Sequence, residues 1–196
     1  MSIKSSVEPI RDWSKIQEIK SFLLDQSKYR DWLLFTIGLN FALRISDLLK
    51  LRISDVYDMD MFPKNRVVLR EKKTGKENYI TITNGSRDAL VQYCKITRIK
   101  YSADFLFKSR QGKNKPIDRV QAYRIVNDVV ERVGLEEINV GIHSLRKTWG
   151  YHAYKRFNLS LDDIMLKLNH QSLAATKRYI GLTADEKMEI ENVVSF

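Results

Sequence analysis

Apolar residues recur at helical spacing along most of the chain. They predict an amphipathic helix from Trp13 to Leu24 and, from Tyr29 to Leu43, a helix that is apolar on most sides and therefore central. A short third helix is predicted from Ile45 to Leu51, before a loop around Asp58 to Pro63. Later in the chain the same spacing predicts further helices over Ser86–Tyr101, Ile117–Val133, His143–Phe157, Ser160–Leu168, Leu173–Ile180 and, from a cap at Thr183, to about Val194.

The helical spacing of apolar residues gives way to a strand-like pattern only in the middle of the chain. Arg66–Arg70 and Asn78–Thr83 are rich in β-branched residues, and the polar segment Lys72–Lys76 between them contains Gly75. Two such runs around a glycine-containing turn predict a β-hairpin. Because no segment rich in Pro, Gly or Ser divides the chain, we expect one domain over residues 1–196, mainly α with a small antiparallel β-hairpin insert (α+β).

The positive charge is concentrated in the middle third. The 196 residues carry 34 Lys and Arg against 24 Asp and Glu, a formal net charge of +10. Lys64 to Arg124 alone contains 16 basic and 5 acidic side chains, a net charge of +11. This distribution favours a polyanionic partner, nucleic acid first, and the alternative is a lysine-rich surface that binds nothing.

Several classes of protein are excluded by the composition. The lone Cys94 can form neither an internal disulfide nor a cysteine-rich zinc site, which indicates a reducing compartment. The N-terminal segment lacks the apolar region of a signal peptide. The most apolar stretch, Trp32 to Leu43, is shorter than the ~20 residues that cross a bilayer. We therefore expect a cytoplasmic protein that has no membrane partner.

Cationic side chains occur at spacings that suit phosphate chemistry. His143 and Arg146 share one face of a helix, where a guanidinium can bind two phosphate oxygens and an imidazole can move a proton. The alternative is a surface helix start. Arg44 follows an apolar helix and either binds an anion or pairs with Asp47. Lys73 lies in the predicted hairpin turn, where an ammonium either contacts solvent or is held in a groove.

A tyrosine provides a candidate nucleophile near the C-terminus. His170 precedes Tyr179 by nine residues, and the adjacent cations of Lys177 and Arg178 favour the phenolate form. The alternative interpretation of Asn158 to Ile180 is a helix-turn-helix that binds DNA without cleaving it.

Taken in order, these residues resemble the catalytic domain of the tyrosine recombinase (phage integrase) family, over about residues 10–185. The segment Ala42-Leu-Arg-Ile-Ser-Asp-Leu-Leu-Lys-Leu51 is similar to the first arginine box of the family, and Leu145-Arg-Lys-Thr148 resembles the second. The resemblance assigns the catalytic roles to Arg44, Lys73, His143, Arg146, His170 and Tyr179.

The chain departs from the family pattern in three ways. Asn169 stands where the family usually has glycine, and we expect the turn to form because Asn tolerates the left-handed conformation. Lys72 competes with Lys73, which we prefer because it immediately precedes Thr74-Gly75. No N-terminal core-binding domain precedes Arg44. The resemblance therefore implies a catalytic domain alone, similar in layout to fimbrial-switch invertases, or a truncated copy.

The resemblance implies DNA cleavage and rejoining without a metal, ATP or another cofactor. Tyr179 attacks a phosphodiester and forms a 3′-phosphotyrosyl intermediate, which a 5′-hydroxyl then resolves. Arg44 and Arg146 stabilise the transition state, and Lys73 protonates the leaving oxygen. The two histidines share proton transfer and phosphate contact, in a division that the sequence leaves open. No Gly-x₄-Gly-Lys-Ser/Thr segment is present, in line with a reaction that needs no ATP.

The implied partner is double-stranded DNA, bound by a tetramer that assembles from free monomers. A non-catalytic helix-turn-helix regulator remains an alternative, although it has no need of Tyr179 or Lys73. A nicking-closing enzyme of the topoisomerase IB type would use the same chemistry without pairing two DNA sites. Phosphate contacts are expected from basic side chains of the hairpin, of the turn at Gly112 and of the helix before Tyr179, namely Arg70, Lys72, Lys76, Arg110, Lys113, Lys115, Lys177 and Arg178.

Overall fold

The predicted fold class, mainly helical with a small antiparallel sheet, is confirmed. A computed structural model describes residues 7–70, 75, 77–136 and 138–193 of the chain. In these ranges the elements are α1 (Trp13–Asp25), α2 (Tyr29–Phe41), α3 (Ile45–Leu48), α4 (Ile53–Val56), β1 (Arg66–Arg70), β2 (Glu77–Thr81), α5 (Asn84–Thr97), α6 (Arg119–Arg132), α7 (Ser144–Lys155), α8 (Leu161–Leu168), α9 (Leu173–Tyr179) and α10 (Leu182–Val193).

Helix α2 is central, as its apolar residues on most sides predict. It is buried along almost its whole length and packs against α1, α5 and α7. Gly38 allows the close approach of α7, because a Cβ at this position would lie 2.6 Å from Cδ1 of Leu145. This contact fixes the start of α7 against the main core.

A second, smaller core joins the C-terminal helices. It contains Ala42 from the end of α2 together with Ala153, Ile164, Leu168, Ile180 and Leu182, all of them buried. Trp149, Tyr151, Leu161 and Tyr179 pack on its edge. The three helices α7, α8 and α9 therefore meet around one small apolar cluster, and this cluster lies under the candidate site.

The hairpin forms where the change of period predicts it. Strands β1 and β2 are antiparallel, and Val67 opposite Ile80 buries one face of the pair. The tip of the hairpin, with the predicted site residues Lys72, Lys73 and Lys76, lies outside the described residues.

Helix ends differ from the predictions where the backbone becomes left-handed. Helix α2 ends at Phe41 because Ala42 has φ 52°, and α5 ends at Thr97 because Arg98 has φ 52°. The final helix begins at Leu182, directly after Gly181 with φ 92°, so that Thr183 lies inside the helix. Nothing in the apolar spacing marks these reversals.

Within the described ranges, no helix has both the length and the apolarity that crossing a membrane requires.

Candidate active site

The start of helix α7 positions two of the predicted residues. His143 is the residue before the helix begins, and Arg146 lies three positions later. Arg146 is only 4% exposed. A buried guanidinium requires several hydrogen-bond acceptors, because a bare charge is costly to remove from water.

Main-chain carbonyls at two helix ends provide these acceptors. Arg146 donates hydrogen bonds to the carbonyl of Ala42, which ends α2, and to that of Leu168, which ends α8, the latter at 2.5 Å. Carbonyls in the last turn of a helix have no partner within the helix, and the helix dipole makes that end negative. Arg146 therefore connects three helices and is held in one orientation.

Tyr179 is the last residue of α9, and its ring contacts His170. The two rings lie edge to face, with centroids 4.8 Å apart and planes at 75°. The chain reverses between α8 and α9 at Asn169, which has φ 49° and ψ 50°. The prediction that asparagine would sustain this turn in place of glycine is confirmed.

Arg44 completes the cluster from the start of α3. It is half-buried, and its charge acts on Tyr179 together with that of Arg146. Burial raises the pKa of Tyr179, whereas the charge of Arg146, a hydrogen bond from Arg146 and the charge of Arg44 lower it. The phenol is protonated at neutral pH, so a group that removes its proton is needed for attack.

Both histidines are neutral near pH 7, which is the protonation state that such a group requires. Burial lowers the pKa of His143, and the positive charges of Arg119, Lys147, Arg146 and Arg44 lower it further. Burial and the charges of Arg146 and Arg44 also lower the pKa of His170. Since an ordinary histidine has a pKa of ~6.5, both rings have a nitrogen that can accept a proton at pH 7.

Thr176 is a site residue that the sequence analysis missed. It is fully buried, its Oγ1 lies 3.2 Å from Nδ1 of His170, and its hydroxyl donates to the carbonyl of Ser172. A hydroxyl has only one proton, so Nδ1 of His170 must be the donor to Thr176. In the neutral ring, Nε2 is then the nitrogen that accepts. The only signal in the sequence is that Thr176 precedes Tyr179 by three residues.

The structure thus brings together Arg44, His143, Arg146, His170 and Tyr179, and Lys73 lies outside the described residues. The predicted DNA contacts are more dispersed: Arg70 ends β1, and Arg110, Lys113 and Lys115 are exposed on the loop before α6. Lys177 pairs with Glu186 at 2.6 Å, and Arg178 is exposed. Among the described residues, no group of three or more His, Cys, Asp or Glu could hold a metal ion.

Comparison with known proteins finds similarity to integrases and recombinases over almost the whole chain. The model of the phage integrase family matches residues 12–186. The chain is 42% identical to the probable integrase/recombinase YoeC of Bacillus subtilis over 179 residues, 91% of this chain and 92% of that protein. It is 27% identical to tyrosine recombinase XerA of Pyrococcus horikoshii over 172 residues, 88% of this chain but only 57% of that protein.

The fold is also that of a solved recombinase. The crystal structure of XerA recombinase superposes with a TM-score of 0.71 at 20% identity and covers 98% of this chain and 66% of the XerA chain. At 20% sequence identity, this similarity shows only that the two chains share a fold. The chain spans less than two thirds of the length of both XerA proteins.

Proposed function

The chain belongs to the phage integrase family of tyrosine recombinases, and from this premise we propose that it cleaves and rejoins DNA at specific sites with Tyr179 as the nucleophile. The observation that supports this assignment is the position of Tyr179. Its ring packs against His170, and it accepts a hydrogen bond from the guanidinium of Arg146. A phosphate that reaches the tyrosine hydroxyl also reaches both groups.

In the first step, the hydroxyl oxygen of Tyr179 attacks the phosphorus of a phosphodiester. The bond from phosphorus to the 5′-oxygen breaks, which leaves a 3′-phosphotyrosyl enzyme and a free 5′-hydroxyl. Either neutral histidine can accept the phenol proton, and we assign protonation of the leaving oxygen to Lys73. A 5′-hydroxyl of the second DNA strand then attacks the phosphotyrosine and releases Tyr179, so the number of phosphodiester bonds is conserved.

The arginines stabilise the charge that develops during this attack. In the transition state, negative charge accumulates on the non-bridging phosphate oxygens, where Arg44 and Arg146 can donate charge-assisted hydrogen bonds. Because two carbonyls already hold Arg146, it does not need to reorganise when the charge develops. Loss of one such donor typically costs ~3–4 kcal/mol, or roughly a hundredfold to a thousandfold in rate.

DNA is the proposed partner, and strand exchange between two sites requires several copies of the chain. We propose that four copies act together on two duplexes. This tetramer assembles from monomers as they bind DNA. Action on DNA also agrees with the predicted location in the cytoplasm.

The proposal is tested by trapping the covalent intermediate. Sites are first selected by binding from a random duplex library, and each selected duplex is then nicked near its centre so that cleavage cannot be reversed. We expect a protein–DNA adduct that resists SDS with the wild-type chain and none with Tyr179→Phe, which should bind the same DNA. Tyr154→Phe, which removes another hydroxyl from the neighbouring helix α7, should form the adduct normally.

Each other outcome has a definite meaning. An adduct with Tyr179→Phe would show that another residue is the nucleophile. Specific binding without any adduct from the wild-type chain would favour the non-catalytic regulator. Relaxation of supercoiled DNA that has no selected site would favour a nicking-closing enzyme.

A further inference from the structure

Lys147 occupies an unusual position next to the proposed nucleophile. It follows Arg146 in α7, and it is buried, with only 8% exposed. Its Nζ donates a hydrogen bond of 2.7 Å to the carbonyl of Val7 and lies 5.1 Å from the centroid of the Tyr179 ring. The ammonium therefore bridges the N-terminal segment and the face of the tyrosine.

A buried lysine of this kind needs a physical reason. Burial lowers the pKa of Lys147, and the charge of Glu8 only partly opposes this. The carbonyl of Val7 and the negative face of the Tyr179 ring offset part of the cost, because an aromatic face attracts a cation. With Lys147 against its face and His170 against it edge to face, the tyrosine ring is held from two directions.

The segment that anchors Lys147 is itself firmly attached. We call residues 7–11 the N-terminal strap. Ile10 of the strap makes two hydrogen bonds to side chains of α7. Its N–H donates to Oγ1 of Thr148 at 2.8 Å, and its carbonyl accepts from Nε2 of His152 at 3.0 Å. Ile10 is fully buried, so this attachment excludes water.

The strap also contacts the chain just after Tyr179. A Cβ at Gly181 would lie 3.1 Å from Cγ of Pro9 and 3.2 Å from Nη2 of Arg11, so the strap packs closely on the turn. Arg11 further binds Asp185 of α10 at 2.9 Å. The strap thus touches the surroundings of Tyr179 through Lys147 on one side and through the Gly181 turn on the other.

We propose that Lys147 is a positioning residue for Tyr179, whose ring its ammonium holds against His170 while the strap carbonyl of Val7 fixes the ammonium. The inference rests on the proposed function, because it concerns the rate at which Tyr179 attacks DNA. The Lys147 ammonium is directed to the Val7 carbonyl and to the Tyr179 ring, so we expect Lys147 to affect cleavage without affecting DNA affinity.

The test compares three substitutions that separate charge from hydrogen bonding. Lys147→Met keeps the length of the side chain but removes both. Lys147→Gln keeps a donor for Val7 without the charge, and it serves if the methionine variant does not fold. Lys147→Arg keeps the charge and a donor. The control is Lys15→Met, which also removes an ammonium bound to a main-chain carbonyl, that of Val133 at 2.6 Å.

The measured quantities are the rate of adduct formation on the nicked duplex in a single turnover and the Kd for the same duplex without the nick. We expect Lys147→Met and Lys147→Gln to slow adduct formation roughly tenfold at unchanged Kd, a change of ~1.4 kcal/mol that lies within the range of cation–π contacts. Lys147→Arg and Lys15→Met should react at close to the wild-type rate.

The inference is overturned if the neutral variants react at the wild-type rate, if Lys147→Arg is as slow as they are, or if Lys15→Met is equally slow. A parallel loss of DNA affinity would also overturn it, because Lys147 would then act in binding. The wild-type chain shows which of the two proposals fails. If the wild-type chain forms no adduct, the proposed function is wrong. If the wild-type chain and the neutral variants react equally fast, only the role of Lys147 is wrong.

Discussion

At the scale of single residues, Thr176 determines which nitrogen of His170 is free to react. Its one hydroxyl proton is used in the bond to Ser172, so the oxygen can only accept from Nδ1 of His170. The second nitrogen of a histidine ring commonly sets the tautomer in this way. In the proposed reaction, the accepting Nε2 either takes the proton of Tyr179 or, once protonated, contacts a phosphate oxygen.

Replacement of Thr176 by valine should therefore slow cleavage without loss of DNA binding. Valine has nearly the same shape but cannot accept from Nδ1, so His170 loses its fixed tautomer. A hydrogen bond of this type is worth ~0.5–1.5 kcal/mol, which predicts a decrease in the rate of adduct formation of up to about tenfold. The rate on a nicked duplex and the Kd for the intact duplex are the two measurements.

Thr97→Val is the matched control for this substitution. Thr97 of α5 donates to the carbonyl of Tyr93, four residues earlier, at 2.7 Å, as Thr176 does to Ser172. The control therefore loses the same intrahelical bond without any contact to His170. Equal effects of the two substitutions would mean that helix α9 merely loses stability and that Thr176 does not set the tautomer.

The resemblance to the recombinase family and the spacing of the residues indicate the site residues but not the groups that they contact. His143 and Arg146 are three residues apart on a helix, so the pattern itself places them on one face. Lys147, by contrast, meets the carbonyl of Val7 across 140 residues of sequence. Contacts of this kind depend on how the helices pack, and no periodicity encodes them.

At the scale of secondary-structure elements, the contact between α7 and the end of α9 positions the nucleophile. Gly150 of α7 faces Ile180, and a Cβ at Gly150 would lie 2.5 Å from Cγ2 of Ile180. Ile180 directly follows Tyr179 and is fully buried. The lack of a side chain at Gly150 therefore lets Ile180 seat in the small core and fixes the end of α9.

Gly150→Ala should disturb both stability and reaction. The isoleucine is β-branched and stiff, so the end of α9 must move to relieve the overlap. Overpacking of this kind typically costs ~1–3 kcal/mol, and a displacement of ~1 Å at a reacting group can cost roughly a hundredfold in rate. Denaturant unfolding and the rate of adduct formation would measure the two effects.

Gly85→Ala in α5 is the control, because its new Cβ would lie 3.7 Å from the nearest atom, Oδ1 of Asn40. This is an ordinary contact, and alanine favours a helix over glycine by up to ~1 kcal/mol. The control should be at least as stable as the wild-type chain and equally active. A Gly150→Ala variant that matched it would show that the contact with Ile180 does not determine the position of Tyr179.

The elements themselves were more predictable than their ends. Apolar spacing located α1, α2 and the β-hairpin, because burial of one face dominates there. The helix ends depend instead on single residues that adopt a left-handed backbone. Asn169 could be expected to do so, as asparagine often does, but Arg98 could not.

At the scale of the whole molecule, the positive charge and the proposed chemistry lie in different parts of the chain. The middle third carries a net charge of +11, whereas Arg44, His143 and Tyr179 lie outside it. In the described part of this third, the loop before α6 folds back on itself through a bond from the Ser109 N–H to the carbonyl of Lys115, with Gly112 at φ 82°. The turn projects exposed basic side chains from a fixed base.

We expect this loop to bind phosphates of the DNA backbone, and neutralisation tests this directly. Arg110, Lys113 and Lys115 changed together to glutamine should weaken binding to all sequences alike. Each phosphate contact that is lost lowers the slope of log affinity against log salt by ~0.9, so three lost contacts would flatten it by almost three. The slope is measured from Kd values at several salt concentrations, with selected and unrelated duplexes.

The control removes the same charge from the end of α5, through Lys95→Gln, Arg98→Gln and Lys100→Gln. These side chains are also exposed, and the main packing partner of α5 is α2. If both sets flatten the slope equally, the charge acts as a diffuse field and the loop has no special contact. If only the loop set does so, and the adduct still forms once DNA is saturating, then the basic segment binds DNA while residues outside it carry out the cleavage.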